Sequence, residues 1–196
     1  NDGTINASGD GIYITSSQVG GDVTNSGEIN AGSYGIHIDT STVGGDITNT
    51  GDIFANYEGI GVHTGSTVDG NITNSGEIDA DEYGIAVYYS SEVGGDITNS
   101  EDGLIDAGYA GILVSSSSIV GGDIVNNGAI TSDGVEVVST TSVMVTGDVT
   151  NAPLDHNYGD SGVGIMIGSS STVIGDVSNN GDINVADDGI LVSYSS

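Results

Sequence analysis

The chain has 196 residues and contains no lysine or arginine against 28 aspartates and glutamates, so its formal net charge is −28 at pH 7. A charge of this size excludes nucleic acid and direct binding to anionic membranes, and it favours cations as partners. Cysteine is absent, which excludes disulfides and thiolate metal sites.

A unit of about 24 residues repeats along the whole chain, most clearly from Gly27 to Thr50. Each copy contains three short segments in which apolar residues alternate with polar ones, in the order G-x-I-x-A, G-I-x-[IV] and V-x-G-D-[IV]-x-N. Alternation with a period of two is typical of strands that have one buried face. Glycines separate the segments where the chain must turn, and no segment has the spacing of a helix.

Repeats of this length predict an all-β fold, a single-stranded parallel β-helix (β-solenoid) in which each copy forms one rung. We expect about eight rungs with three short strands each, and a right-handed coil because most β crossovers have that hand. Residues 1–196 are predicted to form one domain, a segment of a longer repetitive protein. Residues 152–163 are predicted to form a loop insertion in an irregular rung, which holds the chain's only proline.

An asparagine recurs at the end of the third segment, on the side that alternation turns inward. Buried amides must be paired, so stacked copies are expected to bond to one another as a structural ladder. The ladder residues are Asn25, Asn49, Asn74, Asn99, Asn126, Asn151 and Asn179.

An acidic residue precedes the apolar residue of the same segment and is expected to face outward. Carboxylates one rung apart repel each other, so the column is either a set of side-chain caps on the Gly-Gly corner or a row of Ca²⁺ ligands. A second candidate Ca²⁺ site lies in the irregular rung, and further acidic clusters occur at 79–82 and 101–106. The candidate Ca²⁺ ligands are Asp22, Asp46, Asn71, Asp96, Asp123, Asp148 and Asp176 in the column, with Asp155, Asn157 and Asp160 in the loop. We expect Ca²⁺ to act as a structural cofactor.

Aromatic and histidine residues offer weaker signals. Tyrosines recur before the second segment and are expected to stack at one corner, with a carbohydrate-binding stripe as the alternative. His37 and His63 lie on adjacent rungs but at different repeat positions, which argues against a zinc site. Outward positions of the second segment become apolar along the chain, which favours contact with another chain. The corner tyrosines are Tyr34, Tyr57, Tyr83 and Tyr109.

The lines TNSGEINAGSYGIHI (Thr24 to Ile38) and TNSGEIDADEYGIAV (Thr73 to Val87) resemble repeats in the passenger regions of bacterial autotransporters and filamentous-haemagglutinin-like surface proteins. The resemblance implies a secreted right-handed β-helix used as a stalk, adhesin or matrix component. We therefore expect an extracellular or cell-surface structural protein that self-associates into fibres, sheaths or stalks.

Two alternatives to a structural protein remain open. One is an adhesin passenger domain that binds host or carbohydrate ligands, and the other is a polysaccharide hydrolase that uses paired carboxylates. No distinctive acidic constellation breaks the repeat, so we expect that the protein is not an enzyme.

Overall fold

A computed structural model of the chain describes residues 1–131 without interruption and, beyond them, 135–137, 143–145, 147, 149–151, 156–159, 165–167, 171–179, 182–185 and 190–192. All elements in these ranges are strands, and all their pairings are parallel. The predicted all-β parallel solenoid is therefore confirmed. Residues 1–131 make about five turns, fewer than the predicted eight, although the sheet formed by the second strand of each rung runs through eight strands.

The first five rungs contain four strands each. In chain order these strands are β1 (Thr4–Ala7), β2 (Ile12–Thr15), β3 (Gln18–Val19), β4 (Val23–Asn25), β5 (Glu28–Ala31), β6 (Ile36–Asp39), β7 (Thr42–Val43), β8 (Ile47–Asn49), β9 (Asp52–Ala55), β10 (Glu58–His63), β11 (Thr67–Val68), β12 (Ile72–Asn74), β13 (Glu77–Ala80), β14 (Tyr83–Val87), β15 (Glu92–Val93), β16 (Ile97–Asn99), β17 (Leu104–Ala107), β18 (Ala110–Val114), β19 (Ile119–Val120) and β20 (Ile124–Asn126).

The remaining strands continue the same order. They are β21 (Ala129–Ile130), β22 (Val135–Val137), β23 (Val143–Val145), β24 (Val149–Asn151), β25 (His156–Gly159), β26 (Ile165–Ile167), β27 (Ser171–Val173), β28 (Val177–Asn179), β29 (Asp182–Val185) and β30 (Ile190–Val192). Equivalent strands stack into four sheets, named first to fourth by their order within a rung, and β25 and β29 form a separate pair.

The prediction of three strands per rung is wrong, because the third predicted segment is divided into two strands. In the first rung, β3 ends at Val19 and β4 begins at Val23, with the Gly20-Gly21-Asp22 corner between them. Glycine at this corner lets successive rungs pack closely, because a Cβ at Gly45 would collide with Asp22 and with the backbone of Gly21. The pattern V-x-G-D-[IV]-x-N therefore spans a corner rather than one strand.

The core is built from columns of isoleucine and valine that register places one above another. In the first sheet, Ile29 pairs with Ile53, and Ile53 pairs with Ile78. All three side chains are fully buried, as are the equivalent residues of the second and fourth sheets. β-Branched residues pack well on pleated strands, and parallel stacking buries each rung against its neighbours.

One segment of the irregular rung is described. His156–Gly159 is a strand that pairs in register with Asp182–Val185. The rest of the predicted insertion at 152–163 lies outside the described residues. In the described ranges, no helix is long and apolar enough to cross a membrane.

Candidate functional site

The acidic column follows the Gly-Gly corner and is linked by hydrogen bonds between rungs. The backbone N–H of Asp46 donates to Oδ1 of Asp22 at 2.9 Å, and the N–H of Asn71 donates to Oδ1 of Asp46 at 2.7 Å. Asp96 and Asp123 continue the series, each donating to the residue one rung before it at 2.8 Å. One side-chain oxygen of each column residue is thus a cap for the next corner.

The glycine before each column residue makes this hydrogen bond possible. A Cβ at Gly45 would collide with Oδ1 of Asp22, the atom that accepts the Asp46 N–H. The glycine and the aspartate therefore act together: because glycine has no side chain, the carboxylate of the preceding rung can approach the backbone N–H. Asn71 accepts the equivalent bond without a charge, so the hydrogen bond needs an oxygen acceptor but not an anion.

The other candidate calcium ligands are less well defined. Asp176 is exposed at the corner before β28, while Asp148, Asp155 and Asp160 lie outside the described residues. Asn157 belongs to β25, of which only the backbone is described. Within the described part of the chain, no group of three or more histidine, aspartate or glutamate side chains is arranged to hold a metal ion.

The recurring asparagines form a continuous ladder through the interior. The Nδ2 group of Asn25 donates to Oδ1 of Asn49 at 2.8 Å, and Asn49 donates in the same way to Asn74 at 2.8 Å. The series continues to Asn99 and Asn126 at 2.9 and 2.8 Å, and all five side chains are fully buried. Asn151 and Asn179 continue the register of the fourth sheet, of which the backbone alone is described there. The five described ladder residues are closed to solvent.

A second acidic group lies on the outer face of the first sheet. Asp79 pairs in register with Asp106, and a groove of about 410 Å³ that includes Asp79 and Asp81 runs along this face. Asp79 is exposed to solvent, yet partial desolvation, followed by the charges of Asp106 and Asp81, raises the pKa of Asp79 above its ordinary value. The hydroxyl of Thr131 donates to Oδ1 of Asp106 at 2.6 Å.

The outer face of the second sheet carries the most elaborate side-chain arrangement in the described residues. We call it the aromatic cluster, and it consists of Tyr13, Tyr34, His37, Tyr57, His63 and Tyr88. Its ring centroids are 4.8 Å apart for Tyr13 and His37, and 4.8 Å apart for His37 and His63. His63 is in turn 4.1 Å from Tyr88. The cluster therefore crosses four successive rungs.

A buried carboxylate anchors the middle of the aromatic cluster. Glu58 is 1% exposed, and its Oε2 lies 2.7 Å from Nε2 of His63 while its Oε1 accepts a hydrogen bond of 2.5 Å from the Tyr88 hydroxyl. Gly61 makes room for this pair, because a Cβ there would collide with both Glu58 and His63. Burial and then the charge of Glu58 and its hydrogen bond raise the pKa of the Tyr88 phenol, which stays protonated.

His37, which lies one rung before His63, is also paired with a carboxylate. Its Nδ1 lies 2.9 Å from Oδ2 of Asp10, and its Nε2 is buried without a hydrogen-bond partner. Tyr34 packs on the His37 ring at 4.2 Å between centroids. Burial, followed by the charge of Glu58, raises the pKa of Tyr34. The two histidine rings contact each other, but each ring is paired with a carboxylate of its own.

The corner tyrosines do not form a single column. Tyr83 is in register with Glu58 and Ala110, whereas Tyr57 and Tyr109 lie one position earlier in their rungs. Tyr57 is 5.5 Å from Tyr34, and Tyr109 is 5.7 Å from Tyr83, between ring centroids. The prediction of one stacked corner is therefore only partly right, since the rings occupy two neighbouring positions.

Two of the outward positions of the second sheet that become apolar along the chain, Ala86 and Leu113, are buried rather than exposed. His37, Gly61, Ala86 and Leu113 do occupy equivalent positions. Ala86 and Leu113 are buried, however, because tyrosines 83 and 88 pack over them. Glu58 and Tyr88 were not predicted from the sequence, because their residue types do not recur at the equivalent positions of the neighbouring copies. The departure of these two residues from the repeat was the sequence signal that could have indicated a special site.

The stacked parallel strands, internal ladder and repeated corners define the class of the protein as a β-solenoid of repeated rungs. Comparison with protein-family models, with curated proteins and with solved structures finds no match.

Proposed function

We propose that the protein is a structural extracellular or cell-surface protein, a self-assembling subunit of a fibre, sheath or surface stalk, stabilised by Ca²⁺. The observation that carries the proposal is the unbroken continuation of side-chain ladders from rung to rung, both inside the solenoid and along its Gly-Asp corner. A rung that bonds only to its neighbours leaves the same pattern at either end of a stack, so a second copy is able to continue it. A contact of that kind does not close on itself and generates a filament.

Charge is the reason for including calcium. Rungs are about 4.8 Å apart, so the column places carboxylates within strong mutual repulsion. The column Oδ1 atoms accept backbone N–H groups, and the second carboxylate oxygen of each aspartate is the group proposed to face the ion. Ca²⁺ accepts six to eight oxygen ligands in flexible geometry, and neighbouring carboxylates supply such ligands.

The test is electron microscopy of the purified protein while Ca²⁺ is titrated against EDTA, with Mg²⁺ and matched ionic strength as controls. Filaments that need Ca²⁺ support the proposal, and monomers under all conditions contradict it. Filaments that form equally well in EDTA would support self-assembly but would show that assembly does not require Ca²⁺.

Asn71 supplies a matched pair of variants for the calcium step. Asp46→Asn/Asp96→Asn keeps the corner hydrogen bonds that Asn71 demonstrates and removes two charges. Asp46→Ala/Asp96→Ala removes the two charges and also the corner hydrogen bonds that these side chains accept. If the column binds Ca²⁺, the asparagine variant stays folded in EDTA but loses its response to Ca²⁺. An unchanged response would assign the column to capping alone.

A second candidate function is that of an adhesin that binds carbohydrate. It is supported by Tyr57 and Tyr109, which are 45% and 58% exposed and lie at the same rung position two turns apart. Exposed aromatic rings of this kind offer stacking surfaces to sugars. Binding of monomer to a glycan panel, abolished in Tyr57→Ser/Tyr109→Ser, would favour this function over the structural one.

A further inference from the structure

An open groove of about 270 Å³ lies beside the aromatic cluster, where the second sheet turns into the third. We call it the tyrosine groove, and it is lined by Glu82, Tyr83, Tyr88, Tyr89, Leu113 and Ser115. Leu113 is buried and packs against Tyr83 and Tyr88, so the groove has an apolar floor. Nothing in the structural role proposed above uses it.

The corner that presents Tyr89 has the same backbone conformation in successive rungs. Thr64, Tyr89 and Ser116 have φ values of 56°, 59° and 55°, in the left-handed region that non-glycine residues rarely adopt. The backbone hydrogen bonds from Gly65 to Tyr89 and from Ser90 to Ser116 show that the three corners are equivalent. The neighbouring rungs place a small hydroxyl residue at this point. Here a tyrosine ring stands out, 60% exposed.

Two rings of the groove are in edge-to-face contact with each other. The centroids of Tyr88 and Tyr89 are 4.5 Å apart with an interplanar angle of 70°, so one ring offers its face beside the edge of the other. Tyr88 is held in place by its hydrogen bond to Glu58. Fixing one wall in advance lowers the ordering cost of binding.

Charge indicates what kind of ligand the groove accepts. The Glu82 carboxylate lines the groove, and the chain has no lysine or arginine that could neutralise it. A guanidinium group stacks on aromatic faces and donates a fork of two hydrogen bonds to a carboxylate, which a compact ammonium does not. The serine hydroxyl at the rim is a further acceptor.

We propose that the tyrosine groove binds the side chain of an arginine in a basic partner polypeptide. The guanidinium would stack on Tyr89 and donate to Glu82, and its aliphatic stem would lie on Leu113. A second copy of this chain cannot be the occupant, since the chain contains no arginine. The proposed occupant is therefore a basic polypeptide that lies outside this sequence.

The test is NMR titration of the protein with acetyl-Gly-Gly-Arg-Gly-Gly-amide, compared with the same peptide carrying citrulline or lysine. Citrulline keeps the shape of arginine but has no charge. We expect shifts confined to backbone amides at 82–89 and 113–116, and binding about tenfold weaker for citrulline and clearly weaker for lysine. Equal binding of the citrulline peptide would overturn the proposal.

Variants separate the groove from general attraction to an acidic protein. Tyr89→Ser copies the residue at the equivalent corner of the next rung, and Glu82→Gln removes the carboxylate. Each is expected to weaken binding about tenfold, while Tyr13→Ser, at an exposed tyrosine outside the groove, leaves it unchanged. Equal binding by all variants, or displacement of the arginine peptide by neutral oligosaccharides, would contradict the proposal. Circular dichroism verifies that each variant is folded.

Discussion

Asn74 lies in the middle of the asparagine ladder, where its amide is bonded on both sides. Its Oδ1 accepts from Asn49, and its Nδ2 donates to Asn99 and to the carbonyl of Gly76 at 3.0 Å. Asn74→Ala removes these bonds and leaves a buried amide group of each neighbour short of a partner. Because unsatisfied buried groups cost about 1–3 kcal/mol each, we expect the free energy of unfolding to fall by about 2 kcal/mol or more.

Chemical denaturation monitored by circular dichroism measures that loss. Asn56→Ala is the matched control, since Asn56 is exposed and its Nδ2 makes one bond, to the carbonyl of Gly32. A loss in Asn74→Ala no larger than in the control would show that the ladder contributes little to stability.

Asp79 should make stability depend on pH with a defined sign. Its pKa in the folded protein is raised above the ordinary value of 3.8, mainly by partial desolvation and then by Asp106 and Asp81. Between the ordinary pKa and the higher pKa of the folded protein, the native state binds more protons than the unfolded state. Asp79 therefore reduces the free energy of unfolding progressively as pH rises through this interval. Below the ordinary pKa, both states are protonated and the penalty is absent.

Because Asp79 is exposed and solvent screens its charge, Asp79→Asn is expected to raise the midpoint of thermal unfolding only slightly at pH 7 and to have no such effect near pH 3. Asp2→Asn controls for the loss of one unit of net charge at an exposed position. If both variants stabilise the protein equally at pH 7, the effect belongs to total charge rather than to the Asp79 surroundings.

At the scale of the strand, β10 and β14 show how one repeat position takes on two roles. Gly61 of β10 is in register with Ala86 of β14, so a Cβ fits this backbone in the next rung. In β10 the same Cβ would meet the Glu58–His63 pair. We expect Gly61→Ala to displace the pair and to cost about 2 kcal/mol of unfolding free energy.

A double-mutant cycle with Glu58→Ala identifies the source of that cost, because Ala110 already occupies the Glu58 position one rung beyond Tyr83. If the clash with the pair is the cause, the double variant loses less stability than the sum of the single variants. Strict additivity would place the cost elsewhere in β10.

What the sequence could predict follows from the same contrast between repeated and unique positions. Strand alternation and period are repeated in every copy, so the solenoid and the inward side of Asn25 and Ile29 follow from them. The corner inside the third segment was missed because valine, glycine and isoleucine keep their alternating pattern across it. The Glu58–His63–Tyr88 arrangement joins residues 30 positions apart whose types occur at no equivalent positions, so no periodicity could bring them together.

At the scale of the whole molecule, every rung is supported mainly by the rungs on either side. Residues 27–50 form one complete copy, and its strands β5 to β8 pair with β1 to β4 on one side and β9 to β12 on the other. Removing this copy would join Ser26 to Gly51, the residue that follows Thr50 at the same point of the repeat. Asn25 would then face Asn74, and Ile5 would face Ile53.

Deletion of residues 27–50 is therefore expected to give a folded, shorter solenoid with the same strand signal per residue in circular dichroism. The denaturant m-value should fall by roughly a tenth, in proportion to the surface removed. Deletion of residues 27–38 is the control, because it removes only half a rung. Strands of the first sheet would then lie against strands of a different sheet, and the ladder amides would lie against apolar side chains. We expect that variant to lose the rungs before the junction or to remain unfolded. If both deletions fold equally well, register between rungs does not determine the stability of this chain.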